Sequence, residues 1–204
     1  MTWLVLTLCA QDKARVACVG DSITYGAGVE NQKDNAYPVV LGRLLGDKYE
    51  VANFGVSGAT LLKKGDKPYW KEKAFDQATQ FAPKIVVIKL GTNDTKPQNW
   101  KNKAEFEEDL RAMIRHFKGL PSKPVVWIAL PVDVIKPNFG INKEGVVEQH
   151  PIFAKVAKEE GVKTIDLFSA VNAAELFTKD GVHPNAAGAK KIAETVAAAL
   201  KASK

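Results

Sequence analysis

Short apolar runs rich in β-branched residues alternate with longer amphipathic stretches along most of this chain. Each run has the length of a buried strand, and the intervening stretches carry apolar residues at helical spacing. Strands and helices that alternate in this way form a parallel sheet covered by helices. The pattern therefore predicts an α/β fold with five strands, at residues 15–19, 49–54, 84–89, 124–130 and 162–166.

The stretches between these runs predict the helices. Pro38 is placed to open a helix that ends at Leu45, and Asn102 can cap a helix whose apolar residues repeat at helical spacing through Phe117. Three further helices are predicted, at 70–81, 145–160 and 185–199. Residues 131–142 contain two prolines and a glycine and directly follow a strand, so we expect them to form a loop over the functional site.

The length and composition fit a single domain. The chain has 204 residues, of which 46% are hydrophobic and 25% charged, and we assign residues 15–204 to one domain and 1–14 to an N-terminal segment. The first ten residues resemble the end of a secretory signal, or they form a strand or helix packed on the domain. The first interpretation implies a secreted or periplasmic protein, and the second a cytoplasmic one. No other segment approaches the ~20 apolar residues that cross a bilayer, so no stable membrane insertion is expected.

The charge and the cysteines exclude several classes of partner. The net charge is +6, but the basic residues are spread along the chain among 23 acidic ones. Because no nucleic-acid motif accompanies this charge, we interpret it as a solvated surface and expect no nucleic-acid partner. Cys9 and Cys18 have no metal-ligand pattern around them, so neither a metal site nor a structural disulfide is predicted.

A serine follows the first predicted strand, in the sequence Gly20-Asp21-Ser22. Open parallel sheets bind ligands beyond the carboxyl ends of their strands. At a turn from strand to helix, the hydroxyl of Ser22 would lie at this crevice and its amide would lie near a helix N-terminus, where negative charge is stabilised. Taken alone, Ser22 could equally well be a helix cap.

Two more segments place hydrogen-bond donors at the same edge of the sheet. Residues 53–60 follow the second strand and contain Gly58, whose amide could approach a ligand closely. Residues 91–94 follow the third strand and contain Asn93, whose side chain is an amide donor. Either segment alone is also explained by turn formation, because glycine and asparagine are common in turns.

A carboxylate and an imidazole lie close together near the C-terminus. Asp180 precedes His183 by three residues, and Gly181 can bend the chain between them. The carboxylate can accept the proton on one ring nitrogen, which leaves the other nitrogen free as the base that a serine nucleophile requires. His116 and His150 lack such a carboxylate and are interpreted as structural or surface residues.

Taken in order, these four segments resemble the conserved blocks of the GDSL lipases and esterases, also called SGNH hydrolases, across residues 15–200. The resemblance implies that Ser22 is the nucleophile of a catalytic triad with His183 and Asp180. It also implies an oxyanion hole formed by the amides of Ser22 and Gly58 and the side chain of Asn93. Three further residues match the motif and are assigned supporting roles: Asp21, Gly91 and Asp94.

The resemblance also implies a fold and a reaction. The family has a flavodoxin-like three-layer α/β/α sandwich with a five-stranded parallel sheet, in agreement with the strand count. Its reaction is acyl transfer through an acyl-enzyme, so the chain is predicted to be a carboxylic ester hydrolase that requires no metal or organic cofactor.

Three competing interpretations remain. Residues 55–59 nearly match the G-x-S-x-G elbow, which would make Ser57 the nucleophile but would leave the segments around Ser22 and Asn93 unexplained. A non-catalytic module could use the same crevice only to hold a ligand. A flavodoxin-like nucleotide-binding protein would need a phosphate loop, and residues 26–28 lack the third glycine of a dinucleotide motif.

The substrate is less constrained than the reaction. A short chain leaves little sequence for a long acyl tunnel, which favours acetyl esters, and residues 91–97 resemble bacterial members described as sialate or xylan O-acetylesterases. The predicted partner is therefore a small-molecule or oligosaccharide ester. The alternative is a general short-chain aryl esterase or a lysophospholipase. Tyr69, Trp70 and Trp100 could stack on a sugar ring or pack in the interior, and the sequence does not predict an oligomeric state.

Overall fold

The computed structural model describes residues 13–202, in which five parallel strands form one sheet with the order β2-β1-β3-β4-β5. The strands are β1 Ala14–Gly20, β2 Tyr49–Gly55, β3 Ile85–Lys89, β4 Val125–Ala129 and β5 Lys163–Ile165. Every predicted strand is confirmed, and each bound lies within one residue of the predicted one. The predicted fold class, a flavodoxin-like α/β/α sandwich with a five-stranded parallel sheet, is also confirmed.

Helices connect these strands and cover both faces of the sheet. In the described part of the chain they are α1 Ser22–Tyr25, α2 Gln32–Asn35, α3 Tyr37–Leu45, α4 Lys73–Gln80, α5 Pro97–Trp100, α6 Phe106–Lys118, α7 Lys143–Glu160, α8 Leu167–Ala170 and α9 Ala186–Lys201. Single 3-10 turns occur at Tyr69–Lys71, Asn93–Thr95, Lys103–Glu105 and Ala174–Leu176. The five long helices match predicted ones, and α1 begins at the predicted turn from strand to helix at Ser22, whereas α2, α5 and α8 were not predicted.

One predicted helix start is wrong. Asn102 does not cap α6, because a 3-10 turn at Lys103–Glu105 separates them and the helix begins at Phe106. The side-chain amide of Asn102 instead donates to the backbone carbonyl of Lys64, at 3.2 Å. Asn102 therefore ties the start of this helical segment to the loop that follows β2.

The two faces of β1 show why the sheet is covered on both sides. Val16 and Cys18 pack with buried residues of α3 and α9, whereas Ala17 and Val19 pack with those of α4, α6 and α7. Both sets are fully buried, as expected for a parallel strand between two helical layers. Cys18 is a free thiol, and burial raises its pKa to about 12, so it remains an unreactive core residue.

Two predictions concern the ends of the chain and its relation to membranes. The interpretation of the first ten residues as a signal remnant falls outside residues 13–202, as does Cys9. Within that range, no helix has the length and apolar character needed to span a bilayer. The division at residue 15 into a segment and a single domain stays a prediction.

Candidate active site

The sheet order brings the predicted site residues to one edge. The chain passes from β1 to β2 on one side and then crosses back from β2 to β3 on the other, so the strand order switches at β1, the position at which open α/β sheets bind ligands. Ser22 follows β1, and Asn93 follows β3. The turn after β2 is bonded to the end of β1 beside Ser22, because the amide of Val56 donates to the carbonyl of Gly20 at 2.9 Å.

The turn at Ser22 combines a capped helix with a close backbone approach. The Asp21 carboxylate accepts from the amide of Ile23 at 2.9 Å and so caps α1. The end of β2 lies directly against this helix: a side chain at Gly55 would begin 2.1 Å from the backbone nitrogen of Tyr25. Glycine is therefore required at this position, and Ser22 is held at the edge of the sheet with only 6% of its surface exposed.

A fully buried ion pair lies behind the serine. The ammonium of Lys89, the last residue of β3, contacts both Asp21 oxygens at 3.0 and 3.1 Å and donates to the hydroxyl of Thr92 at 2.7 Å. Burial lowers the pKa of Lys89, and the charge of Asp21 opposes this effect. The pair ties the turn that carries Ser22 to the turn that carries Asn93. Sequence reasoning missed Lys89, although a lysine at the end of an otherwise apolar strand was the available signal.

The turn after β3 is fixed by a second buried carboxylate. Asp94 accepts from the amides of Leu61 and Leu62 at 3.0 and 2.7 Å. Burial raises the pKa of Asp94 to about 7, and the two amide hydrogen bonds oppose this shift. The carbonyl of Gly91 accepts from the side-chain amide of Gln149 at 2.9 Å. The supporting roles assigned to Asp94 and Gly91 stay predictions.

Two of the predicted oxyanion donors, Gly58 and Asn93, lie on segments that contact each other. The side-chain nitrogen of Asn93 donates to the carbonyl of Ala59, the residue after Gly58, at 3.1 Å. Gly58 has a φ of 84°, a left-handed conformation that favours glycine. The loop after β2 and the turn after β3 therefore contact each other, and an oxyanion hole formed by them stays a prediction.

Ser22, His183 and Asp180 form a continuous chain of contacts. The Ser22 hydroxyl lies 2.9 Å from Nε2 of His183, a residue 161 positions away in the sequence. Nδ1 of the same ring lies 2.9 Å from Oδ2 of Asp180. The other Asp180 oxygen accepts from the amides of Val182 and His183, each at 2.8 Å. This geometry allows the imidazole to accept the serine proton while Asp180 holds the ring.

Asp180 is held as a carboxylate. Burial alone would raise its pKa, but hydrogen bonds from the amides of His183 and Val182, from the His183 ring and from the Thr178 hydroxyl outweigh burial. The pKa of Asp180 therefore lies below its ordinary value. An ionised Asp180 can accept the Nδ1 proton and stabilise a positive charge on the ring.

The loop at residues 131–142 lies beside Asp180 and His183, as predicted. The side chain of Asn138 donates to the Asp180 carbonyl at 3.2 Å, and the amide of Ile135 donates to the Gly181 carbonyl at 2.9 Å. Phe139 is 59% exposed, and its ring centroid lies 5.9 Å from that of His183. Sequence reasoning indicated this loop but did not single out Phe139, because an aromatic residue in an irregular segment has no periodicity to indicate its direction.

The three aromatic residues considered as sugar contacts all have partners within the protein. Tyr69 packs in the interior, one of the two alternatives left open for it: its ring is fully buried, and its hydroxyl donates to the Phe54 carbonyl at 2.6 Å. Trp70 and Trp100 are half-buried, and their indole nitrogens donate to the Leu61 carbonyl and to Glu148, respectively. Both indoles also pack on phenylalanine rings. A sugar contact by either indole stays a prediction.

The remaining histidines do not provide a second base. His116 contacts the hydroxyl of Thr79 at 2.8 Å, and His150 packs edge-on against Phe168. The competing nucleophile Ser57 is exposed, and none of its described contacts involves a histidine. The elbow interpretation therefore lacks the base that it needs. Residues 13–202 contain no group of three or more histidine, cysteine or acidic side chains that could hold a metal ion.

Known proteins resemble this chain in sequence and in fold. An acetylxylan esterase from Xylanibacter ruminicola is 41% identical over 210 residues, which cover 94% of this chain and 44% of that protein. The chain thus spans less than half the length of the curated relatives it matches. A carbohydrate acetylesterase from Sinorhizobium meliloti superposes with a TM-score of 0.78 at 20% identity, covering 94% of this chain and all of that one.

A second solved structure gives the same architecture. The aryl esterase of M. smegmatis has a TM-score of 0.77 at 20% identity, covering 93% of this chain and 99% of that chain. At such identities, both structural matches establish the fold alone.

The family itself follows from the sequence match. Residues 18–191 match the GDSL-like lipase/acylhydrolase family, a span that includes all four segments discussed above. The predicted resemblance is thereby confirmed, and so, at the level of the family, is the predicted class of carboxylic ester hydrolase. This chain belongs to the GDSL-like lipase/acylhydrolase family.

Proposed function

We propose that this chain is a serine esterase that hydrolyses acetyl esters through Ser22, His183 and Asp180. The observation that carries the proposal is the unbroken series of contacts from the Ser22 hydroxyl through both nitrogens of His183 to Asp180, each of 2.9 Å. A module that only binds a ligand has no need for a serine, a base and an orienting carboxylate in this arrangement.

The reaction proceeds in two acyl transfers. The oxygen of Ser22 attacks the ester carbonyl while Nε2 of His183 takes the hydroxyl proton, and Asp180 stabilises the resulting imidazolium. The tetrahedral intermediate collapses, His183 returns the proton to the departing alcohol, and the acyl group stays on the serine. Water, deprotonated by His183, then attacks the acyl-enzyme, and the acid leaves as Ser22 recovers its proton.

Three donors are available to the oxyanion. Ser22 is the first residue of α1, so its amide is one of the free donors of that helix N-terminus. One hydrogen of the Asn93 side chain is used on the Ala59 carbonyl, and the amide carries a second one that can reach substrate. Gly58 supplies its backbone amide from the adjoining turn. Loss of one such donor typically raises a barrier by about 2.7–4 kcal/mol.

The substrate is proposed to be an acetylated carbohydrate. The relative described as an acetylxylan esterase is 41% identical across 94% of this chain, and the exposed ring of Phe139 beside His183 offers an apolar face on which a sugar could stack.

Hydrolysis of p-nitrophenyl acetate by the wild type and by Ser22→Ala tests the nucleophile. We expect Ser22→Ala to lose at least about 10⁴-fold in kcat, because the remaining donors cannot replace a nucleophile. Ser57→Ala is the matched control, since Ser57 belongs to the competing elbow; this variant should retain full activity. Equal activity of the wild type and Ser22→Ala would refute the assignment.

A series of esters tests the acyl group and the leaving group separately. We expect activity to fall from p-nitrophenyl acetate through butyrate to octanoate, and acetate to be released from acetylated xylan oligomers. Activity that rises beyond butyrate would contradict the acetyl preference and favour a lipase-like enzyme. Turnover of the aryl esters with no release from xylan oligomers would favour the general aryl esterase.

A further inference from the structure

Three lysines on the loop after β2 make different contacts. Lys63 and Lys64 each pair with a carboxylate, at 3.2 and 2.6 Å. The ammonium of Lys67 instead donates to the backbone carbonyl of Ser57 at 2.9 Å. Among the residues that the structure describes, no carboxylate lies within 4.0 Å of that ammonium. The positive charge of Lys67 therefore acts on one backbone peptide.

This peptide is part of the site. The carbonyl of Ser57 and the amide of Gly58 belong to the same planar group, whose resonance links the electron density of the oxygen and the nitrogen. A charge-assisted hydrogen bond to the oxygen draws density away from the nitrogen, so the N–H becomes a stronger donor. The amide of Gly58 is also one of the three donors assigned to the oxyanion. Lys67 thus acts on an oxyanion donor through a single peptide group.

The fold holds Lys67 in this position. Its carbonyl accepts from the amide of Thr60 at 2.9 Å, and the carbonyl of Thr60 accepts from the amide of Tyr69 at 2.9 Å. The amide of Asp66, the residue before Lys67, donates to the side-chain oxygen of Asn99 at 2.8 Å. The stem of Lys67 covers Gly58, with Cδ 3.6 Å from the point where a Cβ would lie. Because the backbone is already fixed, only the ordering of the lysine side chain opposes the contact of the ammonium.

We propose that Lys67 is a positioning residue that orients and polarises the Ser57–Gly58 peptide and thereby strengthens the Gly58 amide as an oxyanion donor. The inference rests on the proposed function, since it needs an oxyanion to form at this site. A polarised donor stabilises the tetrahedral intermediate, which carries a full negative charge, more than it stabilises the neutral ester. Lys67 should therefore affect kcat and leave KM nearly unchanged.

The test compares a variant that removes the cation with one that keeps it. Lys67→Met retains an unbranched stem over Gly58, and we expect it to lower kcat on p-nitrophenyl acetate about tenfold, with KM changed by no more than about twofold. This is less than the ~10²–10³-fold loss on removing a donor outright, because the amide itself remains. Lys67→Arg restores the cation and should recover most of the activity.

Lys118→Met is the matched control. Lys118 also donates its ammonium to a backbone carbonyl, that of Glu160, at 2.6 Å. Glu160 ends α7 just before β5, so this contact lies at the amino edge of the sheet, opposite the site. Lys118→Met should leave kcat at the wild-type value, which would show that loss of a lysine-to-carbonyl bond alone does not reduce activity.

Binding of methylboronic acid distinguishes polarisation from loop support. Ser22 converts this acid into a tetrahedral anion, so Lys67→Met should weaken its inhibition by the same factor as it lowers kcat. An active wild type with an unaffected Lys67→Met overturns the inference. So does a Lys67→Met variant with reduced kcat but unchanged boronate affinity and no recovery in Lys67→Arg. A wild type without any turnover would instead overturn the proposed function, and this inference with it.

Discussion

The two halves of the site are built in different ways. The nucleophile half consists of Asp21, Ser22, Lys89, Asn93 and Asp94, none of which is more than 6% exposed. The base half consists of Asp180, His183 and Phe139. The side chain of His183 is 15% exposed and that of Asp180 is 25% exposed, while Phe139 is 59% exposed. The first half is part of the interior of the domain, whereas the second lies on its surface.

The contacts within each half differ in sequence separation as well as in burial. Lys89 and Asp21 are 68 residues apart, and Asp94 is bonded to amides more than 30 residues away. The hydrogen bonds described for the Asp180 carboxylate, by contrast, come from residues within three positions of it, between Thr178 and His183. Long-range contacts form only when the sheet forms. We therefore expect substitutions in the nucleophile half to lower both activity and the free energy of unfolding, and substitutions in the base half to lower activity alone.

The largest effect expected is on activity, in the base half. His183→Ala removes the general base, so kcat on p-nitrophenyl acetate should fall by about 10⁴-fold or more. The free energy of unfolding, measured in urea, should change by no more than about 1 kcal/mol, because the ring is partly exposed and its neighbours remain.

His116→Ala provides the control, since His116 is half-buried outside the site and bonds to Thr79. This variant should keep its kcat. If His183→Ala destabilised the protein by several kcal/mol, the two halves would not differ in the way described.

The next effect is on stability, in the nucleophile half. Lys89→Met leaves the Asp21 carboxylate buried without its partner, and breaking a buried ion pair from one side typically lowers the free energy of unfolding by about 3–5 kcal/mol. Urea unfolding measures this loss. Lys103→Met is matched to it, because Lys103 pairs with Glu148 where both side chains are exposed; there a loss of about 0–1 kcal/mol is expected. Similar losses in both variants would contradict the comparison.

The sheet could be predicted from the sequence because its strands are buried on both faces, and a strand buried in this way is a short, continuous apolar run. Each of the five strands is an apolar run between helices, and each was predicted to within one residue. The four-residue helices α2, α5 and α8 were missed, since so short a helix has no periodicity and is fixed by tertiary contacts. The start of α6 was misplaced for a related reason: a single 3-10 turn between Asn102 and Phe106 leaves no trace in the hydrophobic pattern.

The site was predictable where its residues form recognisable turns and not where they act through burial. Ser22, Asn93 and the Asp180–His183 turn lie at strand ends or before a helix, where the polar residues stand out. Lys89 and Tyr69 do not stand out, because the sequence does not show that a lysine will be paired inside the core or that an aromatic ring will face inward. Phe139 was missed because the direction of a side chain in a loop depends on contacts with distant residues.

A smaller effect should distinguish substrate binding from chemistry within the base half. Phe139→Ala removes the exposed ring beside His183, so we expect KM for acetylated xylan oligomers to rise by about two- to tenfold, the scale of one aromatic contact. Turnover of p-nitrophenyl acetate and the free energy of unfolding should stay unchanged. Val125→Ala alters an equally exposed apolar residue at the opposite sheet edge, and it should change neither the KM for xylan oligomers nor the turnover of p-nitrophenyl acetate. An unchanged KM in Phe139→Ala would show that the ring does not contact the sugar.

The smallest effect expected is a pH dependence of stability that arises outside both halves. His150 on α7 is half-buried against Phe168, and its Nε2 has no hydrogen-bond partner. Burial lowers its pKa, and the charges of Asp166 and Asp133 oppose this shift. The folded pKa therefore lies below the unfolded value of about 6.5, and between the two the unfolded chain binds more protons.

The sign of the dependence follows directly. The contribution of His150 to stability is complete above pH ~6.5 and is lost as the pH falls from there through the folded pKa. His150→Asn cannot titrate, so on acidification from pH 7 to pH 5 its urea midpoint should fall less, or rise more, than that of the wild type. Buried Asp94, whose pKa is raised to about 7, acts in the opposite direction in both proteins, so the difference between them isolates His150. His116→Asn should show the same direction, because burial also lowers the pKa of His116 against the charge of Asp76. Two variants whose midpoints fall more steeply on acidification than that of the wild type would contradict this assignment. The pH dependence of kcat should be the same in both variants as in the wild type, since activity depends on His183 in the base half.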